Sequence, residues 1–555
     1  MFIDKMIILW LCGIIFLRFS VANLIIEIPD GKIQGTTIET TNGKVFYAWR
    51  GIPYAQPPLG ELRFLSPRPP NSWTDVLDAS KDSPACLFQV TYNGDPIPIN
   101  GNSEDCLYIN VYSPIDSSSQ NNSSKLPVMV YIYGGGFVSG SSDFNFLDPT
   151  PFLEEDVIIV TFNYRLSAFG FLSTGDEIIS GNTALKDQLL ALKWTNNNIE
   201  YFGGDPDSIT VFGESAGAMS AGYHMVSPKS KGLFKGVIMQ SGNALTNFFT
   251  KDDVRTMAVG LANGINSSIT ESNSSEEIKY VLQNASADLI LNVTITLGYS
   301  FKTVLEVESD EAFLTNPMYE SIEQGNFTKV PIIIGHNSEE TCAFATDLTT
   351  AQLIADSFQD NSQLLMPNMP LTDGADPVKI GQEIIEEYVG KNGSFKTDLA
   401  AFFNWWSDEV FVRSVYKHAI LQSYFTPVYM YQFSYYGTKS KPHPNIPGAG
   451  KVGHADDVAY LFNISSFPIE TDSDFLARRR LVKLWTNFAK TQNPTPDDET
   501  SEILENVKWE VTTPDNVRYL DIGDDLVMKP SRKVKETVFW DYIWSTYSYR
   551  PYNTL

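Results

Sequence analysis

The amino-acid sequence predicts an α/β fold: a large, mostly parallel central sheet with helices on both faces and helical insertions. Three observations carry this expectation. Short apolar runs rich in Val, Ile and Tyr alternate with helical patterns from about residue 100 onward. These runs are apolar at successive positions, as strands covered on both faces must be, where a half-exposed strand would alternate. A hydrophobic share of 43% over 555 residues is enough for a large core, and residues 23–555 are expected to form a single domain whose length reflects insertions.

Taken in order, Val128–Ile132, Val157–Val160, Ile209–Phe212, Val237–Met239 and Pro331–Ile334 read as buried strands. Between two of them, Thr183 to Tyr201 carries Leu185, Leu189, Leu192 and Trp194 on one helical face. Strand–helix–strand order points to an open sheet with helices on both sides. Residues 251–326 are polar and helical in places, and read as an excursion over the sheet. Residues 351–424 are helical too, with Phe402, Phe403, Trp405 and Trp406 as packing or pocket aromatics, core packing being the plainer role for each. Pro427 to Tyr435 returns as a strand, and Lys533 to Trp544 has the spacing of a final amphipathic helix. No repeat at a fixed period and no long low-complexity run interrupts this pattern.

The N-terminus reads as a signal peptide over residues 1–22. Lys5 opens a weakly basic start, Met6 to Leu17 is almost wholly apolar, and Ser20-Val21-Ala22 offers the small residues of a cleavage site. The competing reading is a membrane anchor, but the apolar run is about a dozen residues, short of the ~20 that span a bilayer. A secreted or secretory-lumen protein with no stable membrane anchor is therefore expected. Nine Asn-x-Ser/Thr sequons agree, at Asn121, Asn122, Asn266, Asn273, Asn284, Asn292, Asn326, Asn392 and Asn463. Cleavage would leave Cys86, Cys106 and Cys342, an odd count that permits one bridge and one free thiol. Cys86 and Cys106 enclose a short polar loop and form the favoured pair, leaving Cys342 as a buried spare. The formal charge of −26 repels nucleic acid and acidic membranes, and serves solubility.

The chemistry centres on Gly213-Glu214-Ser215-Ala216-Gly217, which follows the run Ile209 to Phe212 and precedes a helix-like stretch. In that strand–turn–helix setting, glycines let the backbone turn sharply and hold the serine hydroxyl clear of the sheet. A serine hydroxyl is a weak nucleophile and needs a base. Of five histidines (His224, His336, His418, His443 and His454), His454 lies in a loop of small residues beyond the strand around Val428, where an imidazole can approach Ser215. Upstream, Gly134-Gly135-Gly136 follows a buried strand. The N–H groups of Gly135, Gly136 and Ala216 are candidates to hold the oxyanion of a tetrahedral intermediate. A triple glycine can also cradle phosphate, but no Lys-Ser/Thr pair follows this one.

With these motifs in place, the chain resembles the type-B carboxylesterase and cholinesterase family of the α/β-hydrolase fold. The resemblance rests on Trp49-Arg50-Gly51-Ile52-Pro53-Tyr54-Ala55-Gln56-Pro57-Pro58 and on Ser103 to Val111 around Cys106. It continues through Asn163-Tyr164-Arg165, Asp187-Gln188 and Phe202-Gly203-Gly204-Asp205-Pro206 up to the serine motif. It implies a serine esterase acting through an acyl-enzyme, with Ser215 as nucleophile, His454 as base and no cofactor or metal. It implies Glu340 as the acid, through Asn337-Ser338-Glu339-Glu340, with Glu339 as the competing residue. It also implies Ser220 as a serine that hydrogen-bonds the acid, Arg50–Glu104 and Arg165–Asp187 as structural ion pairs, and Cys86–Cys106 as the disulfide. Thr341 and Ala455 stand where the family usually has glycine, which bears on the shape of the pocket. Between Cys86 and Cys106 stand Phe88 and Tyr92 but no tryptophan, which argues against a choline ester. A small-molecule or lipid ester is the expected substrate. The alternatives are a catalytically idle storage or adhesion-type member of the same fold and, more weakly, a peptidase.

Overall fold

The computed structural model describes residues 24–555 except 41–42, 89–97, 99, 117–124, 251–252, 441–442, 465–468, 470 and 532. The expected signal segment, Tyr92 and the sequons at Asn121 and Asn122 lie outside the described residues. The apolar runs pair into one eleven-stranded sheet. In chain order its strands are β1 (Thr36–Glu39), β2 (Val45–Pro53), β3 (Tyr108–Ser113), β4 (Leu126–Ile132), β5 (Ile158–Phe162), β6 (Gly204–Glu214), β7 (Gly236–Gln240), β8 (Ile332–Asn337), β9 (Val428–Phe433), β10 (Arg518–Ile522) and β11 (Leu526–Pro530). They lie in the order β11-β10-β9-β8-β7-β6-β4-β5-β3-β2-β1. From β5 through β4, β6, β7, β8 and β9 to β10 every pairing is parallel. At both edges the pairing turns antiparallel.

The five runs read as buried strands all fall in the parallel centre, and β5, β7 and β8 are buried at every residue. Position in the sheet explains which strands the sequence concealed. β1 has no buried residue, and β11 buries only its first. Edge strands covered on one side carry no continuous apolar run.

Helix α1 (Thr183–Asn198) packs between β5 and β6 in sequence, and α2 (Ala216–Val226) follows β6 directly. The excursion carries α3 (Val254–Ile265), α4 (Ser275–Asn284) and α5 (Ala287–Thr296). A capping box at Ser274 and Glu277 starts α4. After β8 come α6 (Leu348–Asp360), α7 (Pro377–Val389), α8 (Leu399–Ser407) and α9 (Arg413–Ser423). Phe402, Phe403 and Trp405 are core residues there, whereas Trp406 is half-buried against Phe344. Then α10 (Asp472–Thr491) precedes β10, and α11 (Val534–Tyr547) follows β11. No helix among the described residues is long and apolar enough to cross a membrane.

Arg165 and Asp187 form a buried two-point ion pair, with N–O distances of 2.8 and 2.7 Å. The Arg50–Glu104 pair is corrected: the Arg50 guanidinium donates to Asp82 (2.8 Å) and to the Ser80 carbonyl. Glu104 is held by Arg63 through two bonds of 2.6 Å. The fork of Arg63 meets both oxygens of Glu104, and its remaining amine serves carbonyls near the end of α4, so the pair joins the excursion to the disulfide loop. Cys86 and Cys106 are disulfide-bonded, and Cys342 is a buried free thiol.

Candidate active site

Ser215 stands in the turn between β6 and α2, at φ +55° and ψ −124°. That region is sparsely allowed for a residue with a side chain and costs about 1–3 kcal/mol. The surrounding backbone imposes it. The Ser215 N–H donates to the Gln240 carbonyl at the end of β7 (2.8 Å), and its own carbonyl accepts the first helical bond from Met219 (2.9 Å). Helix α2 lies so close to β4 that a Cβ on Gly217 would stand 1.9 Å from the Ile132 carbonyl oxygen. Only glycine fits there, so the motif's last glycine is a packing requirement.

Beside the serine runs the glycine loop after β4. A Cβ on Gly134 would come within 3.0 Å of the Ser215 Cβ. Gly135 at φ +100° and Gly136 at φ +61° turn the chain, and the Gly135 carbonyl accepts from the N–H groups of Val138 and Ser139. Ala216 opens α2, where the first N–H groups have no intrahelical acceptor. The glycine loop and the helix start thus both lie beside Ser215.

Glu340 is fully buried just past β8. Its Oε1 accepts from Ser241 Oγ (2.6 Å) and from the Asn337 N–H (2.6 Å). Its Oε2 lies 2.7 Å from Nδ1 of His454. Burial pushes the carboxyl pKa up, but the hydrogen bond and charge of His454, with Ser241 and Asn337, outweigh it and hold the pKa below the usual value. An acceptor-only carboxylate at Nδ1 keeps a proton on that nitrogen. The other nitrogen, Nε2, lies 3.2 Å from Glu214 Oε1. The His454 N–H donates to the Glu340 carbonyl (2.9 Å), and Asn337 Nδ2 donates to the Gly453 carbonyl (2.7 Å). β8 therefore anchors the histidine loop twice through backbone groups.

The two residues that replace glycine are both accommodated. Ala455 takes φ +67°, a conformation that glycine enters freely and alanine at a cost of about 1 kcal/mol. Thr341 is buried, and its hydroxyl meets Ser407 Oγ (3.0 Å). Ser407 Oγ in turn donates to Glu339 Oε1 (2.7 Å), while the Gly450 N–H donates to Oε2 (3.2 Å). Glu339 thus points away from the imidazole into its own network, and burial pushes its pKa up to about 7 against those two hydrogen bonds.

Ser220 is corrected as the partner of the acid. It faces the other way along α2, accepting from Gln188 Nε2 (3.1 Å). Ser241, one residue past β7, reaches Glu340 because β7 lies beside β8. The sequence analysis did not single it out, although a polar residue ending the strand next to that of Ser215 faces the crevice where such sheets keep their ligands. The remaining histidines are satisfied elsewhere. His224 contacts Ser230 and Gln188 and is lowered by burial to about 3, and His418 contacts Asn243 and Gln422 and is lowered to about 4. His336 holds the Asn337 carbonyl and His443 the Lys451 carbonyl.

A serine in a strained turn, an imidazole tied to a buried carboxylate and a glycine loop are what acyl transfer requires. The model of the Carboxylesterase family matches residues 22–540, so the chain belongs to the carboxylesterase family and is a serine-type carboxylic ester hydrolase. It is 33% identical over 527 residues to juvenile hormone esterase of Tribolium castaneum, covering 89% of this chain and 87% of the relative. With pyrethroid hydrolase Ces2a of Mus musculus it shares 33% identity over 547 residues, covering 95% and 94%. With cocaine esterase of Homo sapiens it shares 34% over 486 residues, covering 84% and 83%. The crystal structure of juvenile hormone esterase from Manduca sexta, with OTFP covalently attached, superposes with a TM-score of 0.82 at 30% identity, covering 94% of this chain and 99% of that one.

Two predictions follow from the hydrogen bonds of Glu340 and Glu339. Ser241→Ala is expected to lower kcat on a 4-nitrophenyl ester about tenfold, by removing one bond to a buried charge. Ser220→Ala is expected to stay within about threefold of the parent. Steady-state kinetics on the two variants distinguishes them. For Glu339, a folded pKa near 7 means that the native state keeps a proton the unfolded chain has lost, so its contribution to stability falls as pH rises from about 4.5 to about 7. Glu339→Gln removes that slope. Its stability relative to the parent should rise between pH 5 and pH 8 by on the order of 2 kcal/mol, read from denaturant midpoints at the two pH values.

Proposed function

We propose that the protein is a secreted serine esterase that hydrolyses carboxylic esters through a Ser215–His454–Glu340 triad and an acyl-enzyme intermediate. The observation that carries the reading is the pairing of His454 with Glu340, with Nε2 of the same imidazole 3.2 Å from Glu214, the residue before Ser215. The serine is held in a strained turn, and the imidazole is bound at Nδ1 to Glu340 at 2.7 Å, which keeps the proton on Nδ1 and makes Nε2 the basic nitrogen. In the first half-reaction His454 takes the Ser215 proton as Oγ attacks the ester carbonyl, while Glu340 stabilises the imidazolium. The N–H groups of Gly135, Gly136 and Ala216 receive the oxyanion, and His454 returns the proton to the departing alcohol. Water then repeats the sequence and frees the acid. No cofactor or metal takes part.

The wall beside the imidazole is aromatic: Phe411 and Phe344 both pack on His454, and Trp406 packs on Phe344. Such a wall favours an apolar group on the ester. The names of the relatives, which include juvenile hormone esterase and cocaine esterase, fit a small-molecule or lipid ester of that kind.

Entry to the secretory pathway through cleavage after residue 22, leaving residues 23–555 as one catalytic unit, has two supports. One is the Cys86–Cys106 disulfide, a bond that persists in oxidising compartments. The other is the exposure of the sequon residues Asn266, Asn284, Asn292, Asn326 and Asn392. Asn463 differs, because its amide donates to Asp148 (3.1 Å) and accepts from Arg478, so it is the sequon least suited to a glycan.

Turnover of 4-nitrophenyl butyrate by the purified protein tests the reading. Ser215→Ala is expected to lower kcat by about 10⁴-fold or more. A folded parent that is inactive on a panel of short and long acyl esters would count against it, as would a variant that keeps the activity.

A further inference from the structure

Between α8 and α9 the helix widens into a π-helical turn, Asp408–Val412. Such turns recur at functional sites. Phe411 lies within this turn and is 4% exposed. Its ring lies against the face of the His454 imidazole, with centroids 4.3 Å apart and planes 22° from parallel.

The turn is fastened at both ends to the segments that hold Glu340. Before it, Ser407 donates to Glu339 (2.7 Å) and meets Thr341, the residues on either side of Glu340. After it, Ser414 Oγ donates to the Phe411 carbonyl (2.8 Å) and accepts from Asn243 Nδ2 (3.0 Å), two residues past Ser241. Within it, Asp408 is held by Lys533 and by the Tyr388 hydroxyl. The Phe411 ring is therefore registered against the same loops that position the acid.

We propose that Phe411 is a positioning residue for ester hydrolysis, fixing the plane of the His454 imidazole and favouring its protonated form. The inference rests on the triad reading above. The imidazole can tilt about its Nδ1–Glu340 hydrogen bond, and its Nε2 lies 3.2 Å from Glu214 Oε1, a carboxylate that draws it whenever the ring is protonated. A flat ring stacked on one face blocks the tilt and directs Nε2 along a single line. The same π face attracts the imidazolium that forms in each half-reaction.

The test compares the parent with Phe411→Leu, Phe411→Tyr and Phe411→Trp on 4-nitrophenyl butyrate from pH 5 to pH 9. The charged groups around the imidazole stay the same in all four proteins. They are Glu340 and Glu214 in contact with it, Asp456 and Asp457 on its own loop, and Glu339 behind Glu340. On the phenylalanine side they are Asp408 paired with Lys533 and Glu409 paired with Arg413. Phe411→Leu keeps apolar bulk and loses the flat face. Its kcat should fall about tenfold or more with KM within about threefold, and the acid-limb pKa of kcat/KM should drop by roughly half a unit. Phe411→Tyr should restore most of both. A Leu variant within twofold in kcat with an unmoved acid limb overturns the proposal, as does a Tyr variant that falls as far as Leu. Should the Leu variant show no cooperative thermal transition, Phe411→Trp decides. A raised acid limb supports the proposal, and an unmoved or lowered one overturns it. A parent no more active than Ser215→Ala would instead defeat the triad reading, a result separable from both.

Discussion

The buried carboxylate of Glu340 is the constraint on which the rest of the site depends. A charge with no solvent access is tolerated only when paired and hydrogen-bonded, and breaking such a pair costs about 3–5 kcal/mol. Three segments supply its partners: Ser241 from beyond β7, the Asn337 N–H from the end of β8, and His454 from the loop after β9. These strands are neighbours in the parallel sheet, so their C-terminal ends converge at one edge. Satisfying the charge therefore aligns three loops. The imidazole is one of the groups that satisfy it, which makes its orientation a condition of stability as well as of chemistry.

A second constraint acts on Ser215, the proposed nucleophile. Ser215 holds an unfavourable backbone conformation because β6, α2 and the Gln240 carbonyl leave it no other. The close approach of α2 to the end of β4 requires glycine at Gly217, and the same end of β4 opens into Gly134–Gly136. Strain at the serine, the glycine loop and the acid–imidazole pair are thus produced by one set of strand ends. Stability is given up at these positions, as at functional sites generally, and is supplied by the buried sheet behind them.

Legibility in the sequence followed burial. Central strands were readable because helices on both faces demand unbroken apolar runs, whereas β1, β10 and β11 mix polar and apolar residues and gave no such run. The serine motif was readable from its strand–turn–helix context, and Glu340 only through a motif shared with a family. Ser241 and Ser220 show the limit. Each follows an apolar stretch, but which of them reaches the acid depends on β7 lying beside β8, a fact of sheet order. The Arg50–Glu104 pairing failed for a related reason: Arg63 lies close by in sequence, and only the folded chain shows whose guanidinium meets the carboxylate. Phe411 carried no sequence signal, because a π turn is set by tethers at Ser407 and Ser414 whose partners are far away along the chain.

The most direct test of the central claim is the rate and site of covalent modification by a fluorophosphonate, followed by intact mass and peptide mapping. One adduct per chain is expected, on Ser215, formed far more slowly in His454→Gln and at an intermediate rate in Glu340→Gln. A folded chain that takes no adduct would contradict it. So would an adduct on another residue, or an unchanged rate when His454 is replaced.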